Sequence, residues 1–195
     1  MYSRSALVVA LTVVVWSPPD ARQPQPDRTS VVNAKVLIRN RAGEMLLVFD
    51  ERREAWEVPG ISPEGQATVR NVIDSVAADL GVVVTDRRLG GLFTYHNPTG
   101  RTILRPYYTA RFERHAVGRA LRDPVLRDPV KSRWFSFDEA RKAILYPASV
   151  RIVEKLTREP RQVWGGAFEE HGYASPMTPQ TRVFFRVVED FYPLR

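Results

Sequence analysis

The sequence predicts an α/β domain of the mixed α+β kind. Three observations carry this. Short β-branched and aromatic runs recur along most of the chain. One stretch, Trp56 to Val82, moves from strand end through a loop to an amphipathic helix and a glycine stop. A second helical pair follows the later strands, over residues 138–157. Runs of strands mixed with helices at these lengths point to a sheet covered by helices.

In chain order, residues 31–39 (VVNAKVLIR) read as a strand, Asn40 to Gly43 as a turn with Gly43 at positive φ, and Met45 to Phe49 as a second strand. Asp50 to Ala55 form a charged loop carrying Arg52 and Arg53, and Trp56 to Val58 lead into a Pro59-Gly60 turn. Val69, Val72, Ile73, Val76 and Leu80 then repeat at the spacing of one buried helical face, and Gly81 is placed to close the helix. Val82 to Val84, Leu89 to Tyr95 and Thr102 to Phe112 read as three further strands, with the HNPTGR turn between the last two. Residues 121–130 hold a tandem LRDPV-LRDPV, too short a period to define a repeat architecture. Arg133 to Phe137 is one more strand. Ser136 and Glu139 have the spacing of a capping box for a helix over Asp138 to Leu145, and Pro147 suits the first turn of a helix over Ala148 to Thr157. Gln162 to Phe168 and Val183 to Val188 form a closing hairpin, which is marginal alone and is expected to dock on the domain.

The Trp56–Val82 unit resembles the Nudix box: a Gly, five residues, a Glu, seven residues, then Arg-Glu-apolar-any-Glu-Glu-any-Gly-apolar. Gly60, Val76, Gly81 and Val82 hold the scaffold positions, whereas Gln66, Asp74, Ser75, Ala78 and Asp79 stand where the pattern has Glu, Arg, Glu, Glu and Glu. The box is therefore degenerate. The resemblance implies a Nudix-like α/β/α sandwich with a mixed sheet over residues 29–159, preceded by a segment of residues 1–28 and followed by the β-hairpin extension of residues 160–195, packed on the domain.

It also implies chemistry. Nudix hydrolases cleave diphosphates linked to another moiety, usually with Mg²⁺ held by carboxylates one helical turn apart. Mg²⁺ needs hard oxygen donors. Here the i, i+4 pair is Ser75 and Asp79, so Asp79 is the remaining candidate metal ligand and, with Glu57 and Glu64, the candidate catalytic set. Asp74 is rotated about 100° from Ser75 and is expected to be solvated or to pair with Arg70 at i−4. Gly60, Arg52, Arg53, Arg105 and Tyr107 are the candidate ligand-binding residues, and His96 reads as a turn residue. Two readings follow. In the first, the protein binds a small anionic, diphosphate-type ligand or a partner without the usual hydrolysis. In the second, it is a divergent Mg²⁺-dependent hydrolase of a nucleoside-diphosphate-linked substrate.

Composition sets the outer limits. The 195 residues suit one domain, and the formal net charge of +7 favours anionic partners. The 29 Lys and Arg are scattered with no long run, so specific nucleic-acid binding is not expected. The absence of cysteine excludes disulfides and thiolate chemistry. Arg4, the apolar run Ala6 to Trp16 and the Pro-containing exit resemble a secretory signal peptide of the bacterial type, which implies an exported protein, periplasmic or secreted, and otherwise a cytoplasmic one. That run is shorter than the ~20 residues a bilayer span needs, so any membrane attachment is through an uncleaved N-terminal segment. A homodimer is left open.

Overall fold

A computed structural model describes residues 31–63, 68–96, 102–116, 131–172 and 183–195. The signal-like segment, Glu64, Gln66, the tandem repeat and most of the HNPTGR turn lie outside the described residues.

Ten strands and three helices are present in the described residues: β1 Val31–Val32, β2 Ala34–Arg39, β3 Met45–Asp50, β4 Ala55–Glu57, β5 Gly60–Ile61, α1 Val69–Asp79, β6 Val82–His96, β7 Thr102–His115, β8 Ser132–Phe135, α2 Phe137–Ala143, α3 Pro147–Arg158, β9 Trp164–His171 and β10 Phe184–Pro193. The strands form one mixed sheet in the order β10-β9-β6-β7-β2-β3-β4, with β1 on β7, β5 on β2 and β8 on β3. β2 and β7 run parallel, as do β6 and β9; β6–β7 and β9–β10 are antiparallel. The C-terminal hairpin docks on the sheet through β9.

Alternation along the strands sorts side chains into two layers. Val36 and Ile38 of β2 pack with Val72, Ile73 and Val76 of α1 on one face. Leu37 of β2 and Tyr107 of β7 pack with Ile152, Val153 and Leu156 of α3 on the other, where Phe93 and Phe168 complete the core. The result is an α/β/α sandwich.

The expected local signals hold. Thr68 caps α1, its hydroxyl accepting from the Asn71 N–H at 3.2 Å, and Gly81 follows Leu80 with φ 63°. Gly43 has φ 83°. Ser136 and Glu139 form the capping box of α2, and Pro147 opens α3.

Two features differ. Val82–Val84 and Leu89–Tyr95 belong to one long strand: Thr85 and Arg88 face Arg111 and Thr109, so Asp86 and Arg87 bulge opposite Ala110 alone. Asp86 takes φ 50° to make that bulge. The Pro59-Gly60 turn is instead the entry to β5, with Gly60 paired to Lys35. A Cβ at Gly60 would lie 2.4 Å from the Ala34 carbonyl oxygen, so close packing on β2 accounts for this glycine rather than a positive φ.

Candidate functional site

A cleft of about 520 Å³ opens on the α2/α3 face of the sheet. β2 supplies Lys35, with Asn33 just before it; β3 and the loop after it supply Asp50, Arg52 and Arg53. Glu57 comes from β4, Tyr95 and His96 from β6, Ile103 and Arg105 from β7, Tyr146 from the α2–α3 junction and Glu170 from β9.

The floor is an ion pair. The Lys35 ammonium donates to the Glu57 carboxylate and, at 3.2 Å, to the Val58 carbonyl. Lys35 is only 7% exposed in a strand whose neighbours are core residues. Burial pushes its pKa down; Glu57 opposes that, and Arg105 and Arg53 add to the depression. Glu57 also receives the Tyr146 hydroxyl. Burial and that carboxylate raise the phenol well above its ordinary value.

Asp50 organises the basic loop. Its carboxylate accepts from Arg53 Nη1 at 2.6 Å and from the Arg52 N–H at 3.0 Å. Desolvation would raise the Asp50 carboxyl, but the Arg53 hydrogen bond and charge outweigh it and hold the pKa below the usual value. Glu170 plays a structural part. Its Oε1 accepts the Ala148 N–H at 2.6 Å, capping α3, whose N-cap Tyr146 makes no side-chain hydrogen bond to the helix.

Arg105 stands apart. Its guanidinium carbon lies 3.7 Å from the centre of the Tyr95 ring. Its Nε and the Tyr95 hydroxyl are both buried without a hydrogen bond of normal geometry, and among the described residues no carboxylate lies in ion-pair contact with Arg105. Burial alone would lower its pKa; Tyr95, Tyr107 and Glu57 more than offset this, so the cation is retained.

The cleft therefore brings together Glu57, Arg52, Arg53 and Arg105 among the residues singled out from sequence. It does not include Asp79, the half-buried last residue of α1, a helix that packs on the opposite face. Gly60 lies outside the lining. Tyr107 sits beneath it, fully buried, with its hydroxyl 2.9 Å from Ser149 Oγ. Tyr108 joins the α1 layer. Asp74 pairs with Arg87 of β6 at 2.6 Å rather than with Arg70. His96 ends β6 and lines the cleft, its Nδ1 3.5 Å from Thr102 Oγ1.

Sequence reasoning missed Lys35, Tyr146 and Glu170. A lysine inside the apolar run VVNAKVLIR is a signal in itself, because lysine is rarely fully buried without a partner. The roles of Tyr146 and Glu170 depend on tertiary neighbours.

Donors for a divalent ion are few on α1. Asp74 is engaged by Arg87 and Ser75 is neutral, which leaves Asp79 without a second helix acid at i−4. Among the described residues no three His, Cys, Asp or Glu converge to hold a metal. Among the described residues, these donors alone do not make up the Mg²⁺ centre that the box resemblance implies.

Against solved structures, the chain is similar to the mutator MutT protein from Bacillus halodurans, with a TM-score of 0.59 and 17% identity over 81% of this chain and 97% of that one. It is also similar to a Nudix hydrolase from Nitrosomonas europaea, with a TM-score of 0.54 and 18% identity over 66% of this chain and 89% of that one. The chain has the Nudix fold. No protein-family model matches it, and no curated protein matches it in sequence. At this identity the likeness is one of architecture. On the Nudix fold of this chain, α1 occupies the box position, while the basic cleft lies across the sheet from it.

Proposed function

We propose that this Nudix-fold protein binds a small anionic ligand of the diphosphate type in the Lys35–Arg105 cleft, without the metal-dependent hydrolysis associated with the fold. One observation carries the reading: Arg105 keeps its cation with no carboxylate in ion-pair contact among the described residues, in a cleft that also holds Arg52 and Arg53. An unpaired guanidinium in a partly desolvated cleft is costly, and phosphate oxygens are strong acceptors for it. The carboxylates nearby do not fill that role: Glu57 is engaged by Lys35, Asp50 by Arg53, and Glu170 by the start of α3.

The separation of Asp79 from Glu57 by the sheet supports binding over the divergent Mg²⁺-dependent reading. Export belongs to the same proposal, since a compartment poor in free nucleotides favours recognition over turnover.

The test is calorimetric titration of the protein with inorganic pyrophosphate and ADP, with and without Mg²⁺, beside an assay for phosphate release. Metal-independent binding that Arg105→Gln weakens is the expected result. Mg²⁺-dependent release of phosphate, lost in Asp79→Ala, overturns it and establishes the hydrolase.

A further inference from the structure

A second cleft, of about 270 Å³, lies at the other end of β2. Its lining includes four arginines, Arg39, Arg41, Arg88 and Arg111, against a single acid, Asp86. That acid is already used, its Oδ2 lying 2.7 Å from Arg111 Nη2. The side chains of Arg39, Arg41 and Arg88 make no ion pair or hydrogen bond with any described residue.

The arrangement brings like charges together. Arg39 and Arg111 are register partners on neighbouring parallel strands, and such pairs repel. Arg39 is half-buried, and both burial and the charge of Arg88 work against its ionisation. Arg88 reaches this end of the cleft because β6 bulges immediately before it, with Asp86 at φ 50°. Charge repulsion is thus concentrated around one concavity, and a bound anion would offset it.

We infer that the Arg39–Arg41–Arg88 cleft is a second anion site, which takes the phosphate oxygens of either a free phosphate compound or a single-stranded nucleic-acid backbone. It is independent of the ligand proposed for the first cleft. Lys35 and Arg39 are four residues apart on one strand, so the two sites lie about 13 Å from each other along β2. Arginine suits the chemistry because its planar fork matches phosphate oxygens two at a time.

The experiment titrates the full chain with inorganic pyrophosphate and, separately, with a short single-stranded oligouridylate. Three variants accompany it: Arg39→Gln/Arg88→Gln, Arg41→Gln and Arg105→Gln. The site predicts a binding event that is about tenfold weaker or more in the first two variants and retained in Arg105→Gln. Binding of pyrophosphate alone assigns a free phosphate compound as the source; variant-sensitive binding of the oligonucleotide assigns the backbone. Arg41 is an exposed turn residue, so its variant tests the idea even where the double variant folds poorly. In anion-free buffer the double variant is expected to melt at a higher temperature than the parent, because repulsion is removed. Unchanged affinity for both probes in Arg39→Gln/Arg88→Gln and Arg41→Gln overturns the inference.

Discussion

The Lys35 ammonium of β2 donates to the Glu57 carboxylate of β4, and the two side chains are 9% and 15% exposed. Removing either partner leaves the other charge poorly solvated. Lys35→Met and Glu57→Gln are each expected to cost about 2–4 kcal/mol. The double variant should be less damaged than the sum of the two, since it strands no charge. Urea unfolding of all four proteins checks this; strict additivity would rule out the coupling.

The same lysine sets a pH dependence. Burial holds its folded-state pKa below the ordinary 10.5. In the interval between that depressed value and 10.5, the unfolded chain binds more protons than the folded one, so this group makes stability rise with pH. Tyr95 and Tyr107 act in the opposite sense. Burial raises both phenols above 10.0, so the unfolded chain loses those protons first and stability falls as pH rises beyond 10.0. Unfolding free energies measured across the alkaline range should show a rising limb that disappears in Lys35→Met/Glu57→Gln.

Glu170→Ala removes the acceptor at the start of α3. A loss of about 1–2 kcal/mol is expected, with α3 amides exchanging faster than those of α1. Hydrogen exchange reads this directly, and uniform loss of protection across both helices would argue against a local cap.

Gly60→Ala tests the close approach of β5 to β2. The added methyl meets the Ala34 carbonyl at 2.4 Å and Lys35 Cδ at 2.6 Å. Because the first of these is backbone, relief requires β5 to move, at a cost of about 1–3 kcal/mol. A melting temperature equal to that of the parent would show that Gly60 is not there for packing.

Asp79→Asn should leave anion affinity in the main cleft unchanged, with or without Mg²⁺, because Asp79 stands on the α1 side of the sheet. Titration with pyrophosphate decides this, and a loss confined to the Mg²⁺ samples would return Asp79 to the binding chemistry.

Local signals are legible where local chemistry decides the outcome. The stripe Val72, Ile73, Val76 and Leu80, the closing Gly81, the Ser136/Glu139 box and Pro147 each act within a turn or two of the chain, and each is present in the fold, whereas Val69, expected on the same buried face, is 54% exposed at the first turn of α1. Thr85 to Arg88 mislead because four polar residues look like a loop. β7 is long enough to pair across them, and a bulge absorbs the mismatch. Pro59-Gly60 misleads because a Pro-Gly dipeptide has the signature of a turn, whereas the edge of β2 captures Gly60 as a strand. Arg52, Arg53, Arg105 and Glu57 stand out by charge and position. Their grouping with Lys35, Tyr146 and Glu170 does not, since those contacts join residues far apart in sequence.

The parallel pairing of β2 with β7 has a kinetic consequence. Lys35 lies opposite Tyr107, and the cleft also needs Glu170 from β9, so its walls meet only after most of the chain has closed into large loops. Such distant pairings form slowly and are favoured late in folding. An anion held between Arg53 on one wall and Arg105 on another would clamp contacts that the folding transition state has yet to make. Its effect should therefore fall on the lifetime of the folded protein, with slower unfolding and an unaltered rate of folding.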